Sequence, residues 1–515
     1  MGVRNHERMY RRLSTTALLV ALAAAPYCAS AAPAKAAKAA APAPAPQEQR
    51  AVTHHHITID GHSISYTATA GTLIVKDAKD QPGASVFYVA YTEDGADSSR
   101  RPVTFLYNGG PGAASVFLHM GAFGPRRIAF PNAASSGGPP YGLVDNQYSL
   151  LDKSDLVFID APGTGYSRLL PKADPKSFYG IDQDAAAFGH FIERYVTLNN
   201  RWNSPKFLLG ESYGTPRSAA LVDWLQTNAS MSFNGVILLS SVLDFDTIAP
   251  GPGNDLAYAT FLPTEAAVTW YHNKSANKPP LSTVIEEARK FANGEYHDAL
   301  MEGDRLPHDK FVQTAQELSK LLGIDEHYIE ISNLRVTPER YEKQLMRDSG
   351  ETVGRLDARY VGYDLDTVAD ASDYDPSDSA TSGAFQSGFL TYARNELNYH
   401  SDETYRQIND TANSTWDFTR KSVWNWVAPS VSPDLREAMT TNSRLRVFVG
   451  AGYFDLATPF GAAEWTFSHL GLPAELRSHV TFGYYPSGHM VYMNIPSLAQ
   501  FKGDLSHFYD QATAQ

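Results

Sequence analysis

A chain of 515 residues, 43% hydrophobic and 19% charged, is long enough to bury a large core, and its 28 Tyr and 25 Phe exclude global disorder. The formal net charge of −13 argues against nucleic acid or an anionic membrane surface as the main partner, since both select basic patches.

Residues 1–31 read as an export signal. Arg4, Arg8, Arg11 and Arg12 form a basic start, residues 16–25 a short apolar run, and Ala29-Ser30-Ala31 a small-residue cleavage site. That run is too short to span a bilayer, so no stable membrane insertion is expected. Cys28, the single cysteine, falls inside the signal, leaving the mature chain without a disulfide, a thiol nucleophile or a thiolate metal site. An exported protein, periplasmic or secreted, is the expectation.

Residues 32–53 begin as an Ala/Pro/Lys tract and read as a linker. Folded sequence is expected from His54. Ile57–Asp60 and Ser63–Tyr66 alternate around Gly61 as a hairpin does, and residues 86–91 continue as a strand. Apolar runs at 103–107, 156–159, 207–209, 236–239 and 445–449 each end in a loop, with helical stretches between them. This rhythm predicts a mostly parallel central sheet flanked by helices, an α/β-hydrolase-type fold. It lapses over residues 262–405, which are more charged and helical, notably at 284–293 and 311–322. We read 54–261 and 406–515 as two parts of one core, and 262–405 as an inserted, largely helical lid.

Gly210-Glu211-Ser212-Tyr213-Gly214 has the form of a nucleophile elbow, lying between an apolar strand and a helix-like run from Ser218. A serine hydroxyl needs a base within reach and an acid to orient that base. In this kind of fold the acid and then the base follow the serine along the chain, which gives Asp455, after the strand at 445–449, and His489, in Gly488-His489-Met490. Asn108-Gly109-Gly110-Pro111-Gly112 follows another strand end and lacks bulk. The amides of Gly110 and Tyr213 are therefore candidate donors to an oxyanion. No His-Glu-x-x-His helix, phosphate loop or dinucleotide fingerprint occurs, and His54-His55-His56 is not expected to be a metal site.

Together the Asn108–Gly112 loop, Gly124-Pro125, residues 160–167, the Ser212 elbow, the Asp455 loop and Gly488-His489-Met490 resemble the serine carboxypeptidases. The resemblance implies a Ser212, Asp455, His489 triad with Gly110 and Tyr213 as oxyanion donors. It implies that Asn108, Gly109 and Glu211 grip the free C-terminal carboxylate of a peptide, in a cleavage without metal or cofactor. The chain departs from the family where Ala122 replaces a usual Glu and Leu106 a usual Trp. An esterase or acyltransferase using the same triad is the alternative. Arg126 or Arg127 is the expected replacement for the charge missing at Ala122.

Overall fold

The computed structural model describes residues 47–514 apart from Ala78, 275–277 and 421–428. The expected signal and most of the linker lie outside these. The strands are β1 (Arg50–Ile59), β2 (His62–Lys76), β3 (Pro82–Glu93), β4 (Val103–Tyr107), β5 (Arg126–Ile128), β6 (Leu143–Asp145) and β7 (Asp155–Ile159). They continue as β8 (Arg168–Leu169), β9 (Lys206–Glu211), β10 (Gly235–Leu239), β11 (Glu351–Val353), β12 (Val361–Tyr363), β13 (Arg446–Gly452) and β14 (Val480–Tyr485). The linker boundary needs correction. β1 starts at Arg50, because residues 50–59 pair in register with β2, from Arg50 opposite Gly71 to Ile59 opposite His62.

One ten-stranded sheet runs β1-β2-β3-β7-β4-β9-β10-β13-β14, with β8 beside β3. β1, β2, β3 and β7 pair antiparallel, while β7, β4, β9, β10, β13 and β14 pair parallel. β4, β7, β9 and β10 are buried at every residue, as strands covered on both faces must be. β14 was missing from the expected strands. It lies at the sheet edge and buries only Gly483 and Tyr485 fully, so it lacks the continuous apolar run of the central strands.

Alternate residues of the central strands enter two cores. Leu106, Phe158, Leu209, Ile237 and Phe448 join one, and Phe105, Val157, Leu208, Val236 and Val447 the other. Helix α1 (Ile181–Leu198) covers the second face through Phe188, Phe191, Ile192 and Tyr195, apolar residues at helical spacing. Helix α2 (Gly214–Ala229) adds Leu221, Val222 and Leu225.

The region read from the sequence as an insert, 262–405, begins inside α3 (Leu256–Tyr271) and holds α4 (Leu281–Ala292), α5 (Glu295–Glu302), α6 (His308–Leu322), α7 (Glu326–Ile331), α8 (Pro338–Gln344) and α9 (Pro376–Asn395). The helices expected at 284–293 and 311–322 are α4 and α6. The region divides in two. Helices α3–α8 build a third core together with Phe454, Leu456 and Phe460, whereas α9 sends Phe385, Phe389 and Tyr392 into the first sheet core. The chain closes with α10 (Asp410–Ser414), α11 (Ser432–Thr441), α12 (Phe460–Ser468), α13 (Ala474–Arg477) and α14 (Ile495–Thr513), whose Phe501, Leu505 and Phe508 also pack in the first core. Among the described residues no helix is long and apolar enough to cross a membrane.

Candidate active site

Parallel strands end in loops on one side of the sheet, and side chains from several such loops can converge there. Ser212 follows β9 with φ +60, a left-handed conformation that is strained for serine. The turn is held by Ser212 N–H donating to Leu239 O (3.0 Å) and by Thr215 N–H donating to Ser212 O (2.8 Å). Gly210 has a steric reason, since a Cβ there would collide with Gly214 O. α2 starts directly after the turn, so Ser212 is presented half-buried at the strand–helix corner.

Asp455 and His489 follow β13 and β14. His489 Nδ1–H donates to Asp455 Oδ2 (2.8 Å) in a buried pair. Asp455 also accepts from the amides of Ala457 (2.9 Å) and Thr458 (3.0 Å), and Thr458 Oγ1–H donates to its Oδ2 (2.8 Å). Burial opposes the imidazolium, but the Asp455 charge and hydrogen bond outweigh it and raise His489 above the usual histidine range. Ser240 Oγ–H donates to His489 O (2.6 Å), so Ser212 and His489 are anchored to the consecutive residues Leu239 and Ser240 at the exit of β10. No hydrogen bond joins His489 to Ser212 Oγ in this structure; such contacts often tighten only when substrate is bound.

The Asn108–Gly112 loop leaves β4 beside the elbow. A Cβ on Gly109 would collide with the backbone of Tyr213 and Gly214, so only glycine allows this approach. Gly110 has φ +100 and is exposed, and neither its amide nor that of Tyr213 donates a hydrogen bond among the described residues. Asn108 is buried, its Oδ1 accepting from Leu118 N–H (2.9 Å).

The buried Arg217 went unnoticed in the sequence. Its Nη1 donates to Asn108 O (2.6 Å), its Nε pairs with Asp184 of α1 (2.6 Å), and its guanidinium lies 5.6 Å from the Tyr213 ring centroid. One cation thus braces both sides of the Gly110–Tyr213 gap. Its position in the turn after the elbow was visible, but its partners were not, because they lie on other elements. Thr458 was also missed, although a threonine three residues after an aspartate is a recognisable capping pattern.

Glu211 is buried behind the elbow. Tyr492 O–H donates to its Oε1 (3.2 Å), while Oε2 has no partner. Burial, opposed by His489 and Tyr492, pushes its carboxyl up to about 7. Ala122 is buried in the helical turn Leu118–Phe123, and its carbonyl accepts from Asn146 Nδ2 (2.7 Å). The expected role of Arg126 or Arg127 requires correction. Arg126 pairs with Asp145 (2.5 Å) and Glu396 (3.2 Å), and Arg127 lies over the Tyr148 ring. Neither is bonded to Asn108, Gly109 or Glu211, because the antiparallel β5–β6 pair commits Arg126 to Asp145 opposite it.

Partial stretches of the chain resemble curated relatives. Serine carboxypeptidase-like 45 of Arabidopsis thaliana is 26% identical over 196 residues, 36% of this chain and 38% of the relative. Pheromone-processing carboxypeptidase KEX1 of Saccharomyces cerevisiae is 31% identical over 145 residues, 27% of this chain and 19% of the relative. The chain thus spans well under two thirds of either relative. Among solved structures it is similar to a proline iminopeptidase of Mycobacterium smegmatis, at 14% identity and a TM-score of 0.38, covering 86% of this chain and 98% of that one. The family pattern described as serine carboxypeptidase matches residues 62–490. That match begins at the first residue of β2 and ends just past His489, taking in the whole loop-bearing end of the sheet; the chain belongs to the serine carboxypeptidase family.

Proposed function

We propose that this protein is a serine carboxypeptidase in which Ser212 is the nucleophile, His489 the general base and Asp455 the orienting acid. The observation carrying this reading is the buried Asp455–His489 hydrogen bond on loops tied to the same strand exit as the left-handed Ser212. Ser212 Oγ attacks the carbonyl carbon of the last peptide bond while His489 Nε2 takes its proton. The developing oxyanion accepts from the Gly110 and Tyr213 amides, which have no other acceptor among the described residues. His489 then passes the proton to the departing amino group, releasing the C-terminal residue. Water, deprotonated by His489, cleaves the Ser212 acyl-enzyme.

Asn108, Gly109 and Glu211 are the proposed grip on the free C-terminal carboxylate. A carboxyl held up to about 7 is protonated in mild acid, so Glu211 can donate through its unpartnered side to that carboxylate. Ala122 favours the second reading, an esterase or acyltransferase with the same triad, because a methyl group packed into the core contributes nothing to such a grip. Export to a periplasmic or external compartment is proposed from residues 1–31.

The test is release of the C-terminal residue from a blocked dipeptide, its C-terminal amide and a simple ester, comparing the protein with Ser212→Ala. Release requiring both Ser212 and the free carboxylate supports the carboxypeptidase. Ester cleavage indifferent to the carboxylate moves the assignment to the second reading, and activity surviving Ser212→Ala removes both.

A further inference from the structure

The hairpin loop 354–360, between β11 and β12, is fastened to both loops that carry the proposed acid and base. Leu456 N–H donates to Arg355 O (3.1 Å), Ala358 N–H to Phe454 O (3.0 Å) and His489 N–H to Leu356 O (2.6 Å). The buried Arg359–Asp357 pair reinforces the strap, with Arg359 Nη2 donating to Ser487 Oγ (3.0 Å). Gly488 packs so closely on Asp357 that a Cβ would clash. A loop held at this many points presents its remaining side chains in fixed places.

Arg355 is the exposed side chain on that strap, and its guanidinium makes no ion pair or hydrogen bond among the described residues. The acidic groups around it are engaged elsewhere or held toward their protonated form. Asp455 serves His489 and Thr458, and Asp357 serves Arg359. Asp375 accepts from Leu356 N–H (2.9 Å) and from Ser377. Glu342 is held well above the ordinary carboxylate range, by burial first and against the pull of Arg355. The Arg355 charge also opposes protonation of His489, which places its field at the proposed base. An exposed guanidinium on a loop bonded to the Asp455 and His489 loops is a ready partner for an anion arriving from solvent, and it binds carboxylates bidentately at any physiological pH.

We propose that Arg355 is a specificity-determining residue that binds a carboxylate of the substrate and supplies cationic recognition that Arg126 and Arg127 do not. The carboxylate has two sources, the C-terminal α-carboxylate or an acidic side chain next to the scissile bond. This inference rests on the reading of Ser212, His489 and Asp455 as the reacting centre.

Steady-state kinetics of the full chain test it, with the protein, Arg355→Gln, Arg355→Lys and Ser212→Ala compared on blocked dipeptides. The substrates end in alanine, in alanine amide, or in alanine preceded by glutamate. The expected result for Arg355→Gln is a KM about tenfold higher or more wherever the carboxylate is present, with kcat within about twofold. Arg355→Lys should recover part of the loss, and melting temperatures should be unchanged because the side chain is exposed. A loss on every free C-terminus assigns the α-carboxylate, and a loss confined to glutamate substrates assigns the side chain. Equal changes on the amide, or no change on any substrate the unaltered protein cleaves, overturn the Arg355 inference and leave the Ser212 reading intact. If the unaltered protein cleaves none of the substrates, both fall together.

Discussion

The loop-bearing end of the sheet and the helical insert α3–α8 differ in how they bury carboxyls, although α8 also holds a buried pair, Lys343 with Asp364. At the sheet end, Asp455 meets His489, Thr458 and backbone amides, and Arg217 meets Asp184 and Asn108 O. In the insert, Glu265 and Glu342 each leave a buried Oε1 without a partner. Burial accordingly pushes Glu265 up to about 8 and Glu342 well above its ordinary range. The difference teaches that buried charge fixes geometry where partners converge, whereas unpartnered carboxyls survive burial by staying protonated. Glu211 and Asp160 are exceptions at the sheet end, each with one oxygen bonded, by Tyr492 and by Ser115 N–H, and the other unpartnered.

The strongest test of the sheet-end network is Asp455→Asn. It keeps the side chain's shape but presents an amide where His489 Nδ1–H needs an acceptor. A kcat lower by about 10⁴-fold is expected, with KM little changed. A loss below about tenfold would mean that the buried pair is structural.

Next comes Arg217→Met, which strands the Asp184 carboxylate in the core and should cost about 3–5 kcal/mol in urea unfolding. Adding Asp184→Leu should restore most of that stability. It should not restore kcat, because Asn108 O still lacks its brace. Recovery of both by the double variant would deny Arg217 any positioning role.

The insert predicts a pH effect of a definite sign. Glu265 and Glu342 bind a proton more tightly in the folded chain than in the unfolded one. Their stabilisation is therefore complete below the ordinary glutamate value of 4.5 and is lost as pH rises, through about 8 for Glu265. Each tenfold difference in proton affinity is worth about 1.4 kcal/mol. Unfolding midpoints should fall between about pH 5 and about pH 9, and Glu265→Gln should flatten that fall. A flat profile in the unaltered protein would show that the insert pairs its acids after all.

The smallest effect concerns Glu211, whose carboxyl titrates near 7. Above that value it becomes an anion facing the substrate carboxylate, so KM for free-carboxylate peptides should rise about tenfold by about pH 8.5. Glu211→Gln, which donates at every pH, should level that rise. An unaltered slope in the variant would transfer the effect to His489 or another group.

Local chemistry was readable from the sequence, and distant pairing was not. The elbow is a strand, Gly-x-Ser-x-Gly and a helix in succession, so its strain is written within a few residues, and Ser212 has φ +60 as that pattern requires. The central strands were legible because burial on both faces demands continuous apolar runs. β14 was not, since an edge strand shows only part of its length to the core. Arg126 was misjudged because Glu396, which pairs with it, arrives from the far end of the insert. The same distance concealed Arg355, whose loop reaches the Asp455 and His489 loops only through tertiary hydrogen bonds.

The proposed order of Ser212, Asp455 and His489, the parallel sheet and the sharp turn at Ser212 are legible from residue types and their spacing, because steric and hydrophobic constraints act over a few neighbours. Which cation is committed and which is left unpaired was settled by folding. Arg126 finds Asp145 and Glu396, Arg217 finds Asp184, and the Arg355 side chain is left exposed, without a partner among the described residues, on the loop whose Leu356 O holds the His489 amide. Ion pairing falls off within a few ångströms, and those separations exist only once the strands and the insert have packed.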